Sequence, residues 1–217
     1  MVRAVIFDMD GVLIDTEKHY NIAWCEAAKQ AGYTDFTREH ALMLRSCDAR
    51  AASKMMKGIF GEQFDYFAIR EIRRTIVAKR LAKYGLEKKP GLDEILAFLH
   101  KKGIKTAVAT ATPLELTLQH LEKIGVKDQF DKIVSAKQVE NGKPAPDVYL
   151  YACEQIGEQP KDCIAVEDSP NGIRSAYAAG CMPVMVPDLT EPDEELKPLL
   201  YAVVKTLADI QGIIGKE

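Results

Sequence analysis

Ala4-Val5-Ile6-Phe7-Asp8-Met9-Asp10-Gly11-Val12-Leu13-Ile14-Asp15-Thr16 is the stretch whose reading decides the fold. The apolar run 4–7 leads straight into two aspartates one residue apart. A strand covered by helices on both faces reads as a continuous apolar run, so this one predicts a central parallel strand. Its acids then stand at the strand's carboxyl end, where open α/β sheets bind their ligands. Carboxylates that close repel each other unless positive charge lies beside them. A divalent metal held by hard oxygen ligands is the usual source of that charge. Taken alone, Asp8 and Asp10 read equally well as a loop acid and a helix cap.

Further along the chain, Thr110 ends one strand-like run, the Glu167-Asp168 pair ends another, and Lys143 stands in a proline-braced loop. DMDGVLIDT at 8–16, VATAT at 108–112, GKPAPDVY at 142–149 and AVEDSPNG at 165–172 resemble the four ordered motifs of the haloacid dehalogenase-like hydrolases. The likeness is strongest to their phosphatase and β-phosphoglucomutase branch and covers nearly the whole chain. It implies a doubly wound, Rossmann-like parallel α/β sheet with an inserted all-helical cap.

The texture of the chain agrees. Helix-like spacing recurs at 16–31, 37–45, 48–58 and 64–84, with no alternating pattern before 89. In the first of these, Ile22, Ala23, Trp24, Ala27, Ala28 and Ala31 make the apolar face. In the last, Ile69, Ile72, Ile76 and then Leu81 or Tyr84 do so. From Pro90 onward helix and strand alternate. Strands are expected at 105–110, 133–135, 163–167, 183–186 and 202–204, and helices at 92–102, 146–157 and 173–179. Thr112-Pro113-Leu114-Glu115 predicts a capping box with Thr112 as the cap. Alternation of this kind implies right-handed parallel crossovers. The expected division is a core of 1–15 and 90–217 and a cap of 16–89.

The resemblance implies a chemistry for each motif. Asp8 is the candidate nucleophile, taking the phosphoryl group as an aspartyl-phosphate. Asp10 is the candidate general acid and base. Members that cleave carbon–halogen bonds lack an acid there, so Asp10 favours phosphoryl transfer. Thr110 and the N–H of Ala111 are expected to bind phosphate oxygens. Lys143 balances the charge of Asp8 and the transferring group, its backbone stiffened by Pro144 and Pro146. Mg2+ is the expected cofactor, held by Asp8, the carbonyl of Asp10, Asp168 and, directly or through water, Glu167. Asp168 can also be read as a helix cap. The helical cap would exclude water from the site, and Thr16, His19, Tyr20, Arg45 and Arg50 are its candidate substrate contacts.

Composition sets the outer bounds. With 217 residues, 47% of them hydrophobic, the chain can bury one core and a modest insertion. A net charge of −3 gives no electrostatic reason to expect nucleic acid. The five cysteines are widely spaced and form no CxxC, as expected of small buried hydrophobes in a reducing compartment. The opening residues are too short and too acidic for a signal peptide, and no stretch approaches a membrane span. A cytoplasmic monomer acting on a small phosphorylated metabolite, with no nucleic-acid or membrane partner, is expected.

Three readings of activity stay open: phosphatase, phosphosugar mutase, and a ligand-binding protein on the same fold. The mutase pattern has a histidine three residues before an Ala-Trp pair. Here Tyr20 stands three residues before Ala23-Trp24, with His19 one place earlier. One place on a helix is a rotation of about 100°, so His19 does not substitute. Arg45-Ser46-Cys47-Asp48 also lacks the glycine expected in the mutases. Both departures favour hydrolysis.

Overall fold

In the computed structural model, which describes residues 1–214, Ala4–Phe7 forms β1 and is wholly buried. It lies between two parallel neighbours, β2 (Lys105–Thr110) and β4 (Cys163–Glu167), with Phe7 opposite both Val108 and Val166. Outside them run β3 (Lys132–Ser135), β5 (Met182–Met185) and β6 (Ala202–Val203). The order is β3-β2-β1-β4-β5-β6, and every pairing is parallel. Connections run outward in opposite directions from β1 and from β4. The crevice between those two strand ends is the switch point where such sheets take ligands.

Side chains alternate along β1, so it feeds two cores. Val5 and Phe7 pack with Leu92, Ile95, Leu121 and Val166 on one face. Ala4 and Ile6 pack with Ala107, Val148, Tyr149 and Ala152 on the other. A strand buried on both sides has no polar position to spare, which is why this run is apolar throughout.

The insertion holds four helices: α1 (Glu17–Gln30), α2 (Arg38–Met43), α3 (Ala49–Phe60) and α4 (Tyr66–Tyr84). They enclose a separate apolar cluster that includes Trp24, Ala27, Phe36, Leu44, Met56, Phe64, Tyr66 and Ile69. One expected contact is absent. Ile22 is 41% exposed, so the buried face of α1 turns instead on Ala23, Trp24, Ala27 and Ala28. On α4 Ile69 and Val77 are buried and Ile72, Ile76 and Leu81 partly so, while Tyr84, the alternative to Leu81, is exposed.

Both connections to the cap leave side by side. Ile14 bridges Lys88 in antiparallel fashion. The Asp15 N–H donates to the Glu87 carbonyl at 3.0 Å and the Lys89 N–H to the Leu13 carbonyl at 3.0 Å.

The core helices are α5 (Leu92–Lys102), α6 (Leu114–Lys123), α7 (Asp147–Ile156) and α8 (Pro170–Ala178). Helix α8 starts three residues earlier than its apolar pattern predicts. Ser169, not Asp168, caps it, accepting from the Gly172 N–H at 3.1 Å, and Pro170 opens the first turn. The expected capping box before α6 does not form: Pro113 precedes the helix and no side chain caps it. All five cysteines are free thiols, and three of them are buried. Among the described residues no helix is long and apolar enough to cross a membrane.

Candidate active site

The carboxyl ends of β1, β2 and β3 meet the cap across a cavity of about 650 Å³. Asp8, Asp10, Thr110, Ala111, Thr112 and Lys143 line it from the core. Tyr20, Arg45 and Arg73 line it from the cap.

Asp8 extends β1 by one residue, its N–H donating to the Val166 carbonyl at 2.9 Å. That bond fixes the carboxylate beside β4. Lys143 is 0% exposed, unusual for a lysine, and is surrounded by acceptors. Its ammonium donates to Asp8 Oδ1 at 2.8 Å, Glu167 Oε1 at 2.6 Å and the Ala109 carbonyl at 2.9 Å. Three donors meet three acceptors, so the buried charge is fully satisfied. Burial pulls this ammonium's pKa down, but Asp8 and Glu167 outweigh it and hold it above the ordinary lysine range. Tyr149 donates a further bond to Glu167 Oε1 at 2.7 Å.

Asp8, Glu167 and Asp168 each bring a carboxylate oxygen within 4.8 Å of the others. Burial pushes Asp8 well up from the usual carboxylate range, against the pull of Lys143. It pushes Asp168 up to about 7, against the pull of Arg45. Asp8 Oδ2 and Asp168 Oδ1 are buried and accept no hydrogen bond from any described residue. Buried oxygens without a donor are rare. Two of them among three hard carboxylates fit a small divalent cation.

Asp10 is held at both oxygens. Thr16 Oγ1 donates to Oδ1 at 2.6 Å and Thr112 Oγ1 to Oδ2 at 2.7 Å. A hydroxyl donates to a carboxylate and can turn to accept from a carboxylic acid. The pair of threonines therefore suits Asp10 in either protonation state. Thr110 Oγ1 accepts from the Thr112 N–H at 3.1 Å, which leaves its own proton free for the cavity.

Two glycines make room for the acids. Gly11 has φ +82°, and a Cβ there would stand 2.2 Å from Asp168 Oδ2. At Gly172 a Cβ would meet the Glu167 carboxyl carbon at 1.9 Å. Lys143 and Tyr149 hold that carboxyl in place, so it cannot move aside.

The cap candidates divide. Tyr20 and Arg45 reach the cavity. The Arg45 guanidinium is buried and already engaged. It donates to the Asp168 carboxylate, to the Asp168 carbonyl at 2.9 Å and to Thr190 Oγ1 at 2.9 Å, and its Nε lies 3.6 Å from Glu17 Oε2. It clasps the cap to the acidic cluster. Thr16, His19 and Arg50 do not line the cavity. The Thr16 hydroxyl serves Asp10, His19 stacks on Tyr84 with ring centroids 5.7 Å apart, and Arg50 is exposed at the start of α3. Glu17, Thr112, Tyr149 and Arg73 were not singled out from sequence. Thr112, read there only as a helix cap, and Tyr149, the last residue of the GKPAPDVY motif, carried a local signal.

Thr112→Val removes one of the two bonds holding Asp10. Hydrogen bonds to charged groups contribute ~1.5–3 kcal/mol, so kcat for ester hydrolysis is expected to fall on the order of tenfold to a hundredfold. Steady-state phosphate release measures this, and a kcat within about twofold of the parent would refute the role.

The haloacid dehalogenase-like hydrolase family model matches residues 5–186. The chain is 33% identical over 180 residues to the phosphorylated carbohydrates phosphatase of Thermotoga maritima, covering 82% of each. It is 28% identical to hexitol phosphatase B of Escherichia coli K12, covering 100% of this chain and 96% of that one. The crystal structure of β-phosphoglucomutase from Clostridium difficile superposes with a TM-score of 0.81 at 22% identity, over 100% of this chain and 96% of that one, which speaks to the fold. The chain belongs to the haloacid dehalogenase-like hydrolases, in their phosphatase and β-phosphoglucomutase-like branch, and is a phosphoryl-transfer hydrolase.

Proposed function

We propose that the protein is a Mg2+-dependent phosphatase of a small phosphorylated metabolite of the sugar-phosphate class, acting through an aspartyl-phosphate on Asp8. The observation that carries this is the state of Asp8: one oxygen is held by Lys143 and the other is unclaimed, as is one oxygen of Asp168 in the same acidic cluster. The names of the relatives support the substrate class.

Asp8, Asp168 and Glu167 would hold the cation, with the carbonyl of Asp10. Bound there, it supplies the positive charge that lets a carboxylate approach a phosphate dianion. Asp8 attacks phosphorus through one carboxylate oxygen, and the bond to the leaving oxygen breaks. Asp10, as the acid, gives that oxygen a proton. It then takes a proton from the water that cleaves the aspartyl-phosphate, which regenerates both aspartates. Lys143 and Thr110 face the phosphoryl oxygens. The cap of 16–89 acts as a lid hinged at the paired connections, keeping stray water out.

Hydrolysis is favoured over mutase chemistry by the cap wall. Tyr20 faces the cavity where the mutase pattern has histidine, and His19 is turned away onto Tyr84. The test is a panel of sugar phosphates assayed for free phosphate with Mg2+ and with excess chelator. Hydrolysis that disappears with chelator is expected. Full activity in chelator would overturn the metal. A thermal shift with ligands and no hydrolysis would overturn the enzyme and favour a binding protein. Supplying β-glucose 1-phosphate with a bisphosphate primer tests the mutase. Glucose 6-phosphate with little free phosphate would overturn hydrolysis.

A further inference from the structure

The reaction just described uses the core side of the cavity and leaves its cap wall unassigned. Helix α4 contributes Arg70, Arg73 and Arg74 to that wall. Arg74 is paired with Glu71 at 2.8 Å. Arg73 has no carboxylate partner among the described residues. Its guanidinium carbon lies 4.8 Å from the Tyr20 ring centroid and 4.9 Å from that of Trp24. Its Nε is enclosed and donates to nothing. Loss of solvent is the main influence on this guanidinium and pulls its pKa down.

Aromatic rings hold a guanidinium by its flat faces and leave the N–H groups in its plane free to donate. That is how an arginine is presented to a planar or tetrahedral anion. A half-buried guanidinium that feels only the weak pull of Glu17 and has no carboxylate at ion-pair distance is open to a partner from what fills the cavity. Lys143 cannot be that link, because its three protons are all committed to core acceptors. A neutral polyol supplies hydroxyls but no opposing charge.

We propose that Arg73 is a specificity-determining residue that binds a second acidic group of the substrate, a carboxylate or a further phosphate, remote from the phosphoryl group being transferred. Arg70 beside it adds to the same positive wall. This rests on the phosphatase reading and narrows its substrate to phosphate esters with two acidic groups.

Two matched pairs of esters test it: sorbitol 6-phosphate against 6-phosphogluconate, and fructose 6-phosphate against fructose 1,6-bisphosphate. The parent enzyme should prefer the acid-bearing member of at least one pair by on the order of tenfold in kcat/KM. Which pair shows it tells carboxylate from phosphate. Arg73→Gln should erase the preference, mainly through KM. It should leave the neutral ester within about threefold of the parent. Arg73→Lys, which keeps the charge but not the fork, should retain part of the preference. No preference in the parent overturns the proposal, and so does an Arg73→Gln variant that loses both members of a pair equally. Failure to hydrolyse any of the four esters overturns the phosphatase reading itself.

Discussion

Asp8→Asn is expected to abolish turnover, with a loss on the order of 10⁴-fold or more in kcat. An amide of the same shape can neither attack phosphorus nor oppose a cation's charge. The fold should tolerate the change. The amide oxygen still accepts from Lys143, and the ammonium keeps Glu167 and the Ala109 carbonyl. One charge also leaves a buried trio of carboxylates in which Asp8 is already pushed up by lost solvent. The metal-free variant should therefore melt no lower than the parent. Phosphate release and a thermal melt, run together, separate the two effects. Turnover within about a hundredfold of the parent would remove Asp8 from the chemistry.

Lys143→Met is the opposite experiment, since it removes the cation and leaves the anions. Methionine fills much of the same volume, but Asp8 and Glu167 then face each other with no charge between them. Removing one partner of a buried ion pair costs about 3–5 kcal/mol, so urea denaturation should show a loss of that order. Activity should fall with it. The deficit should narrow on acidification. Burial raises Asp8 above its unfolded value, so its protonated form is the one that favours the fold, and that contribution is present at low pH and lost as pH rises. A variant as stable as the parent would mean that the lysine does not neutralise this cluster.

The core of this arrangement was legible in the sequence because strand ends carry their side chains to fixed places. An apolar run followed by acids at 8, 10, 167 and 168 puts those acids at one edge of one sheet, whatever the helices do. Lys143 was legible through the stiff prolines around it. The cap was not, because a helical side chain's target depends on how the helix is rotated. His19 and Tyr20 are adjacent in sequence, yet one stacks on Tyr84 and the other enters the cavity. Arg45 is held by Asp168, Thr190 and Glu17, from three separate parts of the chain. Arg73 was hidden because its partners are the rings of Tyr20 and Trp24, some fifty residues away. Thr112 shows local preference yielding to tertiary demand: the spacing suited a cap, but the hydroxyl is taken by Asp10.

The side-by-side connections at Ile14 and Lys88 have an evolutionary reading. The entropy of closing a loop depends on bringing its two ends together and rises only slowly with what lies between them. Here the ends are already joined by backbone hydrogen bonds at Leu13-Lys89 and Asp15-Glu87. To the sheet, the whole of 16–89 is therefore an ornament on one tight turn. It can lengthen, shrink or be exchanged for another insertion without disturbing the register of β1 with its neighbours. Selectivity can drift in the insertion while Asp8 and Glu167 stay where the strands put them.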